Sequence, residues 1–178
     1  MAAFQYSAVT ISTMPEAIMA NKAQSNPKGY HTVTPSLVVA GAAKAIDFYK
    51  KALGAEEIMR FPGPDGTLMH AEIRIGDSRL MLGDEMPEQG GRGPKSIGGT
   101  PVSFFVYREN VDEAWKRAVD AGAKPVMPLA DQFWGDRAGC FEDPFGHMWW
   151  LAQKVQDLTP EELQKAAESF FSQAQSAS

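Results

Sequence analysis

The amino-acid sequence predicts an α+β domain: two tandem βαβββ units with paired, curved mixed sheets forming a central cavity. Three observations predict it. The 178-residue length suits one well-buried core. The order strand, helix, strand, strand, strand can be read twice along the chain. The run ALGAEEIM at 52–59 also returns as DAGAKPVM at 120–127, so that Gly54, Ala55 and Met59 match Gly122, Ala123 and Met127. Two copies are too few, and too long, for a solenoid, so the pattern implies a pseudo-symmetric pair; either half alone would leave an apolar sheet face uncovered.

The domain is expected at residues 30–155, with halves at about 30–86 and 100–155. Residues 1–29 lack sustained periodicity and end in Asn26-Pro27-Lys28-Gly29, so they read as an arm or tail. β-branched residues predict the first strand at 32–39, ended by Gly41. Ala42, Ala45, Ile46, Tyr49, Ala52 and Leu53 then recur at helical spacing opposite Lys44, Asp47, Lys50 and Lys51, with Gly54 as the stop. Strands at 56–61, 68–75 and 79–82 follow, separated by a Pro-Gly-Pro-Asp-Gly run and by Gly76-Asp77.

A Gly/Pro-rich connector at 86–99 leads to a strand at 102–107. Asn110 and Glu113 fit the capping box of a second helix, whose buried stripe is Val111, Ala114, Trp115, Ala118 and Val119. Strands at 125–127, 139–142 and 147–152 complete the second unit. Residues 156–178 predict an amphipathic helix and tail: Thr159 caps, Pro160 opens, and Leu163, Ala166, Ala167, Phe170 and Phe171 form a stripe to pack on the domain or across a dimer, with polar fraying from about Ser172.

A net charge of −5 without a Lys/Arg run argues against nucleic acid and anionic membrane surfaces as partners. No apolar stretch approaches the ~20 residues of a membrane helix, and the N-terminal segment lacks the pattern of a secretory signal. A cytoplasmic address is expected. Cys140 is the single cysteine, which excludes an internal disulfide and predicts a buried, inert thiol.

Residues 32–153, above all TPSLVVAGAAKAIDFYKKALGAE at 34–56 and FEDPFGHMWWLA at 141–152, resemble the vicinal oxygen chelate superfamily, the group of glyoxalase I, bleomycin-resistance proteins and extradiol dioxygenases. Met69-His70-Ala71, Met81-Leu82-Gly83-Asp84 and Phe133-Trp134 resemble its bacterial branch named after a phosphonate-operon protein. The resemblance implies the fold, a pocket and a homodimer; it does not fix a reaction, because chemistry belongs to sites grafted on folds.

Catalytic members of that superfamily hold one divalent ion at four places, two on the first strands of the units and two near their last strands. Matching the motifs puts Thr34 at the first, Trp150 at the last, and the other two near Leu82 and near Val102 or Ser103. These are not hard or borderline donors, so no metal and no other cofactor is expected. His70, Asp84, Glu142 and His147 remain as a His/carboxylate set, with His70 and Glu142 the candidate acid/base residues. Against this, Asp84 and Glu142 also read as turn or rim carboxylates and His147, beside a Gly turn, as exposed.

Strand alternation puts Met148, Trp150 and Ala152 on one face and Trp149 and Leu151 on the other. Trp150, Met148, Phe104 and Met81 are therefore the expected pocket lining, with Trp134 at its rim and His70 and Arg137 as polar contacts. Two readings stay open. One is a metal-free binder of a small aromatic or amphipathic molecule; the other is a lyase, isomerase or dioxygenase working by a nonstandard metal site or by acid/base chemistry.

Overall fold

A computed structural model describes residues 26–63 and 66–176. Most of the expected arm, residues 1–25, and two residues of the Pro-Gly-Pro-Asp-Gly connector, 64–65, lie outside that range.

The elements run β1 (Ser36–Val39), α1 (Ala42–Leu53), β2 (Glu56–Pro62), β3 (Leu68–Ile75) and β4 (Ser78–Asp84), then β5 (Ser103–Tyr107), α3 (Val111–Asp120), β6 (Lys124–Asp131), β7 (Asp136–Glu142) and β8 (Met148–Lys154). Between the units stand a 3-10 turn, Pro87–Gln89, and a short helix α2 (Pro94–Ile97); the terminal helix is α4 (Pro160–Ser176). Each unit makes one four-stranded mixed sheet, in the orders β1-β4-β3-β2 and β5-β8-β7-β6. First and last strands of each unit pair in parallel, the rest antiparallel.

Both units follow from the same physics. α1 buries Ala42, Ala45, Ile46, Phe48, Tyr49, Ala52 and Leu53, and Gly54 ends it at φ 63, a left-handed conformation open to glycine at little cost. Asn110 caps α3 by accepting from the Glu113 N–H at 3.1 Å. Each helix lies on one face of its own sheet, and α1 also packs against α3. The core is therefore shared: Leu37, Val39, Ile73 and Leu82 of the first sheet and Phe141, Trp149 and Leu151 of the second close around the two helices. At β7, Gly139 leaves room for the Trp115 ring, which a Cβ there would meet at 2.7 Å.

Several expectations change. The first strand is shorter than 32–39 because Pro35 brings no N–H to the ladder. β6 and β7 are longer than expected, extending to a turn at 132–135, and α2 stands inside the connector read as irregular. Val119 is 37 % exposed, so the α3 stripe narrows to Val111, Ala114 and Ala118 with Trp115 half-buried. α4 has its reciprocal cap, Thr159 with Glu162, but its stripe stays open: Leu163, Phe170 and Phe171 are exposed, and the aromatic pair meets only Phe133 among the described rings. The helix also continues past Ser172. Among the described residues no helix is long and apolar enough to cross a membrane.

Candidate functional site

Because the helices cover one face of each sheet, the other faces stay open, and a cavity opens at the seam between the units. It measures about 710 Å³. Val33, Pro35, Ile75 and Leu80 wall it from the first unit, Phe104, Phe105, Val106, Tyr107 and Trp149 from the second, and Arg79 and Arg108 enter as cations. An apolar, aromatic enclosure with a few polar groups is the usual form of a small-molecule site.

The wall continues onto the open face of the second sheet. Phe105 and Trp150 are register partners in parallel strands, and their rings stack at 5.0 Å with planes 5° apart. Phe105 is 49 % exposed, so the stack presents a free aromatic face. Farther along, Asp136 is 2 % exposed and accepts from the Tyr107 hydroxyl and the Trp134 indole N–H, each at 3.1 Å, with the Lys154 ammonium 3.3 Å from its other oxygen. Burial and the hydrogen bond to Asp136 hold the Tyr107 pKa above its ordinary value.

The open face of the first sheet is polar. His70 Nε2 stands 3.3 Å from Glu72 Oε1, and Arg79 Nη1 donates to Glu72 Oε2 at 3.3 Å. The Phe61 ring stacks on His70, and the Arg79 guanidinium lies 4.8 Å over the Tyr30 ring. Burial pushes the Glu72 carboxyl up, but hydrogen bonds from Tyr30 and His70 and the His70 and Arg79 charges bring it below its usual range.

The expected site residues thus divide among places. Trp150, Met148 and Glu142 share the open face of the second sheet, and His70 and Met81 that of the first, by strand register. Phe104 turns to the helix side, 4.7 Å from Trp149 rather than beside Trp150, since a one-residue step along a strand changes the face. Arg137 also lies on the helix side, bound to Asp112 and Asp131. His147 is buried, not exposed: Asp143 Oδ1 accepts from its backbone N–H, and its Nε2 is 3.3 Å from Val38 O. Asp84 anchors the start of α1, accepting from the N–H groups of Gly41, Ala42 and Leu68 at 2.7–2.8 Å. Cys140 is buried, which pushes its thiol pKa up.

Sequence reasoning missed Phe105, Tyr107, Arg108 and Glu72. Only the register, with Phe105 opposite Trp150, singles out the first. At the four places that the resemblance implies for a metal, Thr34 donates its hydroxyl to His31 O, Leu82 is buried in the core, Val102 is aliphatic and Ser103 a single hydroxyl, and Trp150 is a stacked indole, a set that does not fit a divalent ion. Among the described residues no three His, Cys, Asp or Glu side chains group as metal ligands.

The family model described as Glyoxalase/Bleomycin resistance protein/Dioxygenase superfamily matches residues 30–151. An uncharacterized protein of Mycobacterium bovis is 49% identical over 140 residues, covering 77% of this chain and 92% of that one. Among solved structures, TioX from Micromonospora sp. ML1 superposes with a TM-score of 0.54 at 26% identity, covering 72% of this chain and 100% of its own. TnmS3, an antibiotic binding protein from Streptomyces sp. CB03234, has the same fold, with a TM-score of 0.55 at 22% identity, covering 74% of this chain and 99% of its own.

Proposed function

This chain belongs to the glyoxalase/bleomycin resistance protein/dioxygenase superfamily, and we propose that it binds a small aromatic or amphipathic molecule at the seam between its halves, without the superfamily's usual metal. The observation that carries this reading is the cavity of about 710 Å³ whose wall runs into the Phe105–Trp150 stack. A planar ligand gains burial and ring stacking there, the latter contributing about 0.5–1.5 kcal/mol beyond area. That the fold can serve binding is illustrated by TnmS3, described as an antibiotic binding protein. A homodimer is part of the reading, since Phe61, Phe105 and Tyr107 on the open faces are all about half exposed or more.

Titration with 2-naphthamide, a neutral planar probe, should quench tryptophan fluorescence saturably, and Phe105→Ala should weaken the binding about tenfold or more. Equal affinity in the variant removes the cavity as the site.

The paired His70 and Glu72 favour a second reading, acid/base chemistry on the first sheet. With Nε2–H donated to the carboxylate, Nδ1 keeps a lone pair that can take a proton from carbon next to a carbonyl and return it. Proton exchange of small ketones in D2O, followed by NMR, should then be catalysed by the wild type and lost in His70→Asn. No exchange above background in the wild type refutes this reading.

A further inference from the structure

The cations at the seam cavity differ in how their charge is met. Arg79 is paired: Glu72 accepts from its Nη1. Arg108 has no carboxylate within ion-pair distance among the described residues. Its Nη2 donates to Leu53 O at 2.7 Å, and its Nε is buried without a hydrogen-bond partner. Arg117 Nε likewise donates to Ala52 O at 3.2 Å, so two guanidiniums from the second unit converge on the last carbonyls of α1. A helix C-terminus offers only about half a negative elementary charge. Two full positive charges meet it, and a net positive charge is left over.

That excess borders the cavity. Arg108 belongs to the lining, and Arg117 does not. The one acid of the lining, Asp77, is an exposed turn residue that accepts from the Ser78 hydroxyl. Burial, and the neighbouring Arg117 charge, press the Arg108 pKa below the ordinary guanidinium value, which is the signature of a cation short of a counter-charge. The remainder of the wall is aliphatic side chains and aromatic rings, with His31, Ser78, Ser103 and the Glu72-paired Arg79 as its polar members. A molecule filling this space meets aromatic rings and, at the end of the same strand, an uncompensated guanidinium.

We propose that the cavity selects anions: planar aromatic carboxylates, with the ring on the aromatic wall, where Phe104 shares the Arg108 side of the strand, and the carboxylate at the Arg108 guanidinium. A guanidinium is matched in geometry by a carboxylate, which takes two of its N–H groups side by side. The inference rests on the seam cavity being the binding site. It adds the charge of the ligand.

The test compares two probes of one ring and nearly one shape, 2-naphthoate and 2-naphthamide. Wild-type protein binds the carboxylate at least tenfold more tightly than the amide, and raising the salt concentration narrows the gap. Arg108→Gln brings the two affinities together by weakening the carboxylate about tenfold more than the amide. Arg108→Lys, which keeps charge but not the fork, retains part of the preference and guards against misreading a folding defect of Arg108→Gln. Arg117→Gln, which lowers the charge excess at the α1 end without touching the lining, narrows the preference less than Arg108→Gln does. Saturable, equal binding of both probes by the wild type overturns the anion preference and spares the cavity; no saturable binding of either overturns both.

Discussion

The two halves share a strand order and a helix stop, yet they turn opposite surfaces outwards. The first sheet carries His70, Glu72 and Arg79 on its open face, and the second carries Phe105, Trp150 and Tyr107. What the halves have in common is backbone geometry: Gly54 and Gly122 both take positive φ after a helix, and Ala55 and Ala123 are both buried behind them. The chemistry differs where side chains are free of the core. Function in this molecule therefore rests on the difference between the halves: one supplies hydrogen bonds and charge, the other supplies stacking area.

The loops that join the last two strands of each unit show the same asymmetry most sharply. In the second unit Asp143 is 2 % exposed and accepts four hydrogen bonds, from the Tyr49 hydroxyl, the Trp149 indole and the backbone of Phe145 and His147, at 2.8–2.9 Å. Tyr49 lies on α1, so this carboxylate fastens the two units together. Burial and the Asp143 charge push the Tyr49 pKa well above its ordinary value. In the first unit the corresponding turn holds Asp77, exposed and accepting from the Ser78 hydroxyl at 3.0 Å. Asp143→Ala orphans the Tyr49 hydroxyl and the Trp149 N–H, at about 1–3 kcal/mol each, and should cost about 3 kcal/mol or more in urea denaturation. Asp77→Ala should stay within about 0.5 kcal/mol. Equal losses would show that the loops are interchangeable.

This asymmetry also explains what was legible in the sequence. Periodicity and the matched glycines reveal elements and repeat, because they report backbone and core. The Asp-Pro-Phe-Gly run is legible as a motif, but not that its carboxylate reaches Tyr49, 94 residues away. The candidate site is half legible. Trp150 stands out as an indole at a metal position, while Phe105 and Phe104 differ only by which face each takes, and that is fixed by pairing with β8. Arg108 was invisible because its meaning depends on α1 ending beside it.

The outer strands give the smallest expected contrast. On β2, Glu57 accepts from Arg60 and from Lys50, the latter at 2.5 Å, and these bonds lower its pKa from 4.5 to about 2. On β6 the exposed residues include Val126 and Met127, and its one ion pair among the described residues is at its end, where Asp131 accepts from Arg137 at 3.1 Å. A carboxyl whose folded pKa lies below its unfolded value adds stability above about pH 4.5 and loses it as the pH falls toward about 2. Because the Glu57 side chain is still 20% exposed, solvent and salt screen the pair, and the contribution should remain below about 1 kcal/mol. Urea midpoints at pH 6 and pH 2.5 should therefore differ slightly less in Glu57→Gln than in the wild type. An unchanged pH difference would mean that the Glu57 pairs on β2 add no stability to the first half.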